Sequence, residues 1–352
     1  MRRLSQAETH PLMQVTHFLS APASGPRVVA VDRGDGADRM RREVLAGLSD
    51  PAQPWVPPTY FYDRRGSELY EAITALEEYY PTRTEAALLS AIADELGALV
   101  APTEVVELGS GSSSKTHVIL DALGAHRRDL TYMPLDVSPT MLDMGAEQLV
   151  ARYSRLRVLG LAGQYEDGFR ALPPATNRLF VFLGGTIGNF KPEFQEAFFA
   201  QLAAVMRPGN RLLLGFDRRA HDGKPPEVIE AAYNDALGIT AEFNLNMLAH
   251  LNEALGGDFD LGVWSHEAHY DRESHRIEMH LRSLQDQEVT LSALGRSFAF
   301  RRGQRILTEL SRKFDPQELA QWFESRGFRC ERRWTDEQGY VGLMLLERQA
   351  QR

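Results

Sequence analysis

The sequence predicts an α/β fold: a doubly wound, mostly parallel sheet with a second, α+β unit inserted into it. Three observations carry this reading. Between Thr82 and Asp217, five apolar runs alternate with helical segments, the rhythm of a parallel sheet covered by helices on both faces. After Asp217 that rhythm stops, and a long helical stretch leads into two alternating strands that read as an antiparallel hairpin. The tail then returns to the first style, with a helix followed by two strands.

Taken in order, residues 1–30 are polar with scattered Pro, Ser and Gly, and predict an N-terminal arm. Pro51–Pro58 leads into the aromatic segment YFYDRRGSELYEAITALEEYYPTR. Thr82 and Glu85 have the spacing of a capping box, opening a helix whose apolar positions are Leu88, Ile92, Leu96 and Leu99. A strand at Glu104–Leu108 runs into GSGSSSKT and a helix carrying Val118, Ile119 and Leu123. The next strand is Leu130–Asp136, after which Ser138 reads as an N-cap with Pro139 at the first helical position. Leu156–Leu161, Arg178–Leu183 and Arg211–Phe216 complete the alternation, the last two apolar throughout as strands buried on both faces are. A helix around Phe194–Met206 separates that last pair.

Beyond Asp217, residues 226–255 predict helix, with Val228, Ala232 and Ala236 and then Phe243, Met247 and Leu251 on the apolar side. The hairpin arms are Val263–Tyr270 and Arg276–Ser283, where Ile277, Met279 and Leu281 alternate with Glu278, His280 and Arg282. Pro316–Arg326 predicts the last helix, Phe328–Trp334 and Tyr340–Glu347 the last strands. The expected organisation is an arm (1–30), a sheet domain (83–222 with 313–352) and a second domain (31–82 with 223–312).

Composition narrows the function classes. At 352 residues, two domains are expected, and 43% hydrophobic with 25% charged residues describes a globular chain with a large core. A net charge of −9 argues against nucleic acid or an anionic membrane as partner. The single cysteine, Cys330, excludes an intramolecular disulfide or cysteine-cluster zinc site and fits a reducing compartment. No apolar run approaches the ~18 residues of a membrane span. Arg2 and Arg3 are followed by Gln6, Glu8 and His10, where a signal peptide needs an apolar stretch, so a cytoplasmic location is expected.

Gly109 and Gly111, between a strand and a helix, let the backbone turn tightly and approach a ligand beside free helix N–H groups. Asp136 lies 25 residues past Gly111, at the next strand tip, where a carboxylate can accept from ribose hydroxyls. Three readings fit. Gly109 with Ser114-Lys115-Thr116 nearly spells a P-loop, though Ser stands where its second glycine belongs, and Asp217 could then hold magnesium. A nicotinamide dehydrogenase fits the glycines, but no hydride-transfer constellation follows. An S-adenosylmethionine methyltransferase fits the loop, the acidic strand tip and the expected antiparallel last strand together.

If LTELS is a strand, Glu309 and Ser311 share one face, and a carboxylate beside a hydroxyl suits the two nitrogens of an imidazole. His266 and His269, three apart on a strand, face opposite ways; with His275 and His280 they read as exposed hairpin residues, and no metal site is expected. On their own, Tyr62, Tyr79 and Tyr233 also suit an aromatic core, and Asn189, after Gly188, suits a turn.

Seven segments, YDRRGSELYEAIT, EYYPTRTE, VELGSGSSSKT, FLGGTIGNF, AAYNDALGITAEFN, RIEMHLR and LTELSRKF, occur in the order found in the histidine-specific S-adenosylmethionine-dependent methyltransferases, and the chain resembles that family from about Tyr62 onward. The resemblance implies a Rossmann-like class I methyltransferase sheet. It further implies transfer of three methyl groups to the α-amino nitrogen of L-histidine, giving hercynine in ergothioneine biosynthesis. It implies that Gly109, Lys115 and Asp136, with Gly111 in the same loop, hold the cofactor, and that Gln164 and Tyr165 flank its adenine. An aspartate is expected where Gln164 stands. By the same resemblance Tyr62 and Tyr79 face the substrate amine, Asn189 and Tyr233 its carboxylate, and Glu309 and Ser311 its imidazole, with Met279 as an apolar neighbour. The implied partners are histidine and its mono- and dimethylated forms, bound by a monomer. Another aromatic amino acid or an indole amine is the alternative substrate.

Overall fold

In a computed structural model, residues 10–350 are described apart from 22–24, 33, 35, 112–114, 127 and 128. The strands are β1 (Arg27–Ala30), β2 (Glu104–Leu108), β3 (Leu130–Asp136), β4 (Leu156–Ala162), β5 (Arg178–Phe182) and β6 (Arg211–Asp217), then β7 (Trp264–Asp271), β8 (Arg276–Ser283), β9 (Gln287–Leu291), β10 (Arg296–Phe300) and β11 (Arg305–Arg312), and last β12 (Phe328–Thr335) and β13 (Val341–Arg348). Eight form one sheet in the order β1-β4-β3-β2-β5-β6-β13-β12. The first six of that order run parallel, and β13 enters antiparallel beside β6.

Why these runs form this sheet is clear from their burial. In β5 every residue is buried and in β3 all but the last, because helices cover both faces and leave no solvent side to mark with polar residues. One core lies on each side of the sheet, around Phe180, Phe182 and Phe199 on one face and Leu89, Ile92 and Leu179 on the other. The Ser138 hydroxyl accepts from the Met141 N–H at 3.4 Å and starts helix Pro139–Arg152 where the sequence places its cap. The sheet order reverses between β2 and β5, and the crevice beyond their C-terminal ends is where parallel sheets bind ligands.

A third core belongs to the segment inserted after β6. It packs Met247, Leu251, Ile277, Leu281 and Ile306 against Met40, Val44, Phe61, Leu69 and Ile73, so the aromatic N-terminal segment shares a core with residues far along the chain. Here β11-β8-β7 form an antiparallel sheet and β9 pairs with β10.

Four expectations are corrected. Two stretches of the expected arm are built into the fold: Pro11–Ser20 is a helix that buries Val15 and Phe18, and β1 extends the parallel sheet beside β4. The apolar residues of this helix, Val15 and Phe18 among them, are flanked by Pro, Ser and Gly that make the whole stretch read as irregular. The capping box at Thr82 does not form; helix Tyr80–Leu99 begins earlier, and Glu85 is turned inward. Residues 226–255 form two helices, Pro226–Ala231 and Ile239–Leu255. They are separated because Gly238 takes φ +75° and the Asp235 carboxylate caps the N–H groups of Ile239 and Thr240 at 2.9 and 2.8 Å. His266 and His280 are not exposed. His266 lies 2.9 Å from both Asn244 Nδ2 and the Tyr233 carbonyl, and His280 is buried, its pKa pushed down to about 4 by desolvation. Helix Ile239–Leu255 reaches the hairpin through Asn244, which strand alternation alone does not reveal.

Phe18 packs in the core with Val29, Leu159 and Leu161, and the Arg157 guanidinium sits 4.6 Å from its ring centre. Phe18→Ala should lower unfolding free energy in urea by about 3–5 kcal/mol, the usual cost of emptying a buried aromatic site. A change below about 0.5 kcal/mol, typical of exposed substitutions, would return this segment to an arm.

Candidate active site

A cavity of about 560 Å³ opens at the C-terminal ends of β2, β3 and β5 and is closed from above by residues of the third core and β11. At its lower end, β2 ends in Gly109 (φ +70°) and Gly111 (φ +50°), left-handed positions that disfavour a side chain. A Cβ on Gly109 would stand 2.9 Å from the Tyr165 hydroxyl, so the loop passes Tyr165 at a distance that glycine keeps free of strain. Asp136, the last residue of β3, accepts from the Gly111 N–H at 2.9 Å and the Ser138 N–H at 3.0 Å. Burial raises its pKa against those bonds. Each oxygen keeps a further lone pair for a ligand. Gln164 and Tyr165 line the cavity, together with the apolar side chains Val137, Met141 and Phe194. Lys115 lines it too, its ammonium paired with the Glu85 carboxylate.

These features match the two ends of S-adenosylmethionine: acceptors for ribose, a cation for the methionyl carboxylate, and an apolar slot for adenine. They do not make a magnesium site. Asp217, the P-loop candidate, is buried between the Lys224 and Lys313 ammoniums and accepts from the Tyr80 hydroxyl at 2.7 Å. Ser114 lies outside the described residues.

At the upper end, Tyr62, Asn189 and Glu309 line the same cavity, whereas Tyr79, Tyr233, Met279 and Ser311 stand behind its wall. Tyr70, unmarked by the sequence reading, fills the space between Tyr62 and Tyr79, its ring edge-on to both at 5.7 and 6.4 Å. A bulge at Thr308 shifts the β11 register, after which Glu309 pairs with Met279 and Ser311 with Ile277. The Tyr233 hydroxyl donates to Ser311 Oγ at 2.8 Å, and Lys313 Nζ donates to Ser311 Oγ at 2.9 Å and to the Tyr233 hydroxyl at 3.1 Å. Lys313 in turn pairs with Asp217 at 2.9 Å. Glu309 has no hydrogen bond among the described residues. Desolvation pushes its carboxyl up to about 7, with only the Lys313 charge pulling the other way.

Four site residues were therefore missed: Tyr70, Glu85, Asp217 as a structural anion, and Lys313. Tyr70, Glu85 and Lys313 lie inside the recognised segments, but segment membership does not distinguish a buried partner from a surface residue.

A class I methyltransferase sheet with an acidic β3 tip, a left-handed glycine turn after β2 and a paired lysine at the crevice defines an S-adenosylmethionine-dependent methyltransferase. The chain matches the family described as histidine-specific methyltransferase, SAM-dependent, over residues 40–348, and it belongs to that family. It is 42% identical over 307 residues to the histidine N-alpha-methyltransferase of Mycobacterium tuberculosis, covering 87% of this chain and 94% of that one. It is 39% identical over 312 residues to the enzyme of the same name in Mycolicibacterium smegmatis, covering 89% and 96%. The ergothioneine biosynthesis protein 1 of Schizosaccharomyces pombe is 32% identical over 288 residues, 78% of this chain and 36% of that longer one.

Two measurements check this geometry. Asp136→Ala should weaken S-adenosylhomocysteine binding in calorimetry by about 1.5–3 kcal/mol, the scale of hydrogen bonds to a charged group. Magnesium-dependent ATP binding without it would favour the P-loop reading. Glu309, with a folded pKa raised above its unfolded value of 4.5, contributes stability that is fully present below that value and is lost as pH rises through about 7. Glu309→Gln should accordingly gain stability relative to the parent between pH 5 and 8 in denaturant titrations. Parallel pH profiles would show that Glu309 is not desolvated.

Proposed function

We propose that the protein transfers methyl groups from S-adenosylmethionine to the α-amino nitrogen of L-histidine, three times, giving hercynine in ergothioneine biosynthesis. The observation that carries the reading is Glu309: an unpaired, desolvated carboxylate in the wall of the cavity that also holds Gly109, Asp136 and Lys115. A half-buried carboxylate on a cavity wall with no protein partner is open to a ligand, and a ring N–H is a partner of the right size and polarity. Ser311 supports the same ligand. It stands behind the cavity wall, where Tyr233 and Lys313 donate to its hydroxyl, so it would act on the imidazole end through Lys313, whose charge reaches Glu309. The names of the relatives agree with this substrate.

In this reading, residues 83–222 with 313–352 bind the cofactor, residues 31–82 with 223–312 bind histidine, and the protein acts as a cytoplasmic monomer. Among the described residues, no helix is long and apolar enough to cross a membrane. Bound S-adenosylmethionine supplies an electrophilic methyl group on a sulfonium. Gly109, Gly111, Lys115, Asp136, Gln164 and Tyr165 would hold it. Asn189 would take the substrate carboxylate and Tyr62, backed by Tyr70 and Tyr79, would orient the neutral amine. In each transfer the N–C bond forms as the S–C bond breaks, and the ammonium product gives one proton to water before the next. The protein's contribution is position and water exclusion. The imidazole end stays fixed while the amine end accommodates each added methyl.

Histidine incubated with S-adenosylmethionine and the purified protein should gain three methyls by mass spectrometry, all on the α nitrogen by NMR. Methylation of the ring would overturn the pose. Glu309→Ala should lower kcat/KM for histidine by roughly 10- to 150-fold, equivalent to 1.5–3 kcal/mol, and narrow its lead over tryptophan. An unchanged ranking of histidine, tryptophan and phenylalanine would remove Glu309 from the imidazole site.

A further inference from the structure

The Glu85 carboxylate lies at the junction of three elements and touches none of the cavity surface. It is 2% exposed, on helix Tyr80–Leu99, and has two partners. One is the Lys115 ammonium, which follows the glycine-rich turn of β2. The other is the Gly184 N–H just past β5, at 2.9 and 3.0 Å from its two oxygens. Space is kept for it: a Cβ on Gly215 of β6 would fall 2.0 Å from Glu85 Oε1. Gly184 and Gly185 both take left-handed conformations, φ +76° and +66°, and the short helix Thr186–Asn189 that follows brings Asn189 to the cavity.

Burying a carboxylate costs several kcal/mol unless its partners are well placed, so a helix would dispense with this one if packing were its only task. A lysine has four rotatable methylenes and no preferred direction of its own. Burial works against the Lys115 charge, but Glu85 outweighs it, raises the lysine pKa and holds the ammonium at one spot on the cavity wall. The same carboxylate fixes the turn that carries Asn189.

We propose that Glu85 is a positioning residue that aims Lys115 at the methionyl carboxylate of S-adenosylmethionine and, through Gly184, sets the turn that presents Asn189 to the substrate. It thus ties the cofactor and acceptor ends of the site to one buried anion. The proposal rests on the assignment of Lys115 to the cofactor, and the test separates the two.

Dissociation constants for S-adenosylhomocysteine would be measured by calorimetry for the parent, Glu85→Gln, Lys115→Met and the double variant, with KM for histidine measured alongside. Glu85→Gln keeps an oxygen for the Gly184 N–H but removes the charge. It should weaken cofactor binding by about tenfold, and that effect should disappear in the Lys115→Met background, the signature of coupled neighbours. The histidine KM at saturating cofactor should rise more in Glu85→Ala than in Glu85→Gln, because only the former abandons Gly184. Should Glu85→Ala not fold, the Glu85→Gln cycle decides alone. Equal weakening by Glu85→Gln with and without Lys115 would reduce Glu85 to a packing role and overturn the proposal. Unchanged binding in Lys115→Met would overturn it as well, by removing Lys115 from the cofactor site, while leaving the Asp136 contact standing.

Discussion

Charge buried between the sheet and the inserted unit is the constraint on which the acceptor side of this site depends. Asp217, at the end of β6, would be driven towards protonation by burial, but Lys224 and Lys313 outweigh that and keep its pKa below the usual carboxylate range. Lys224 bears the strain of the arrangement: desolvation and the nearby Lys313 charge lower its pKa to about 8 despite Asp217. Lys313 keeps its proton, because Asp217 more than offsets its burial. From Lys313 the polarity passes outward to Ser311 and Tyr233, and electrostatically to Glu309. Lys313 can only donate in that chain, so both the Ser311 and Tyr233 oxygens accept from it.

The two ends of the cavity are built on different principles. At the cofactor end, acidic and basic side chains are already satisfied by backbone N–H groups or by each other, as with Asp136 and Lys115, and a ligand adds to bonds that exist. At the other end Glu309 has no hydrogen bond among the described residues, and in the proposed reading its ligand would complete the site. A pocket that must be completed discriminates sharply against molecules that cannot do so. That asymmetry suits a methyltransferase, whose cofactor is constant and whose substrate must be chosen.

The sheet was legible because its strands are apolar without alternation and its connections carry ordinary caps, such as Ser138 before Pro139. The glycine turn and Asp136 were legible because a strand tip at that spacing has few other uses. Glu85 was misread because Thr-x-x-Glu describes a helix start whether or not the glutamate points out, and only Gly215 and Gly184 far along the chain make room for it inside. Strand alternation placed Glu309 and Ser311 on one face, and Lys313 two residues on continues it, but the period cannot show that its partner Asp217 is on another sheet. His266 shows the same limit, because a strand shows its two faces but not that helix Ile239–Leu255 covers the Leu281 side, while His280 is buried on the other face beside His269 and Glu278.

The central claim is a pose, and a crystal structure with S-adenosylhomocysteine and L-histidine bound tests it most directly. The account predicts one imidazole nitrogen within hydrogen-bond distance of Glu309 and the α nitrogen beside Tyr62, directed at the cofactor sulfur. Histidine bound with its carboxylate at Asn189 but its ring away from Glu309, or with its ring nearest the sulfur, would contradict it.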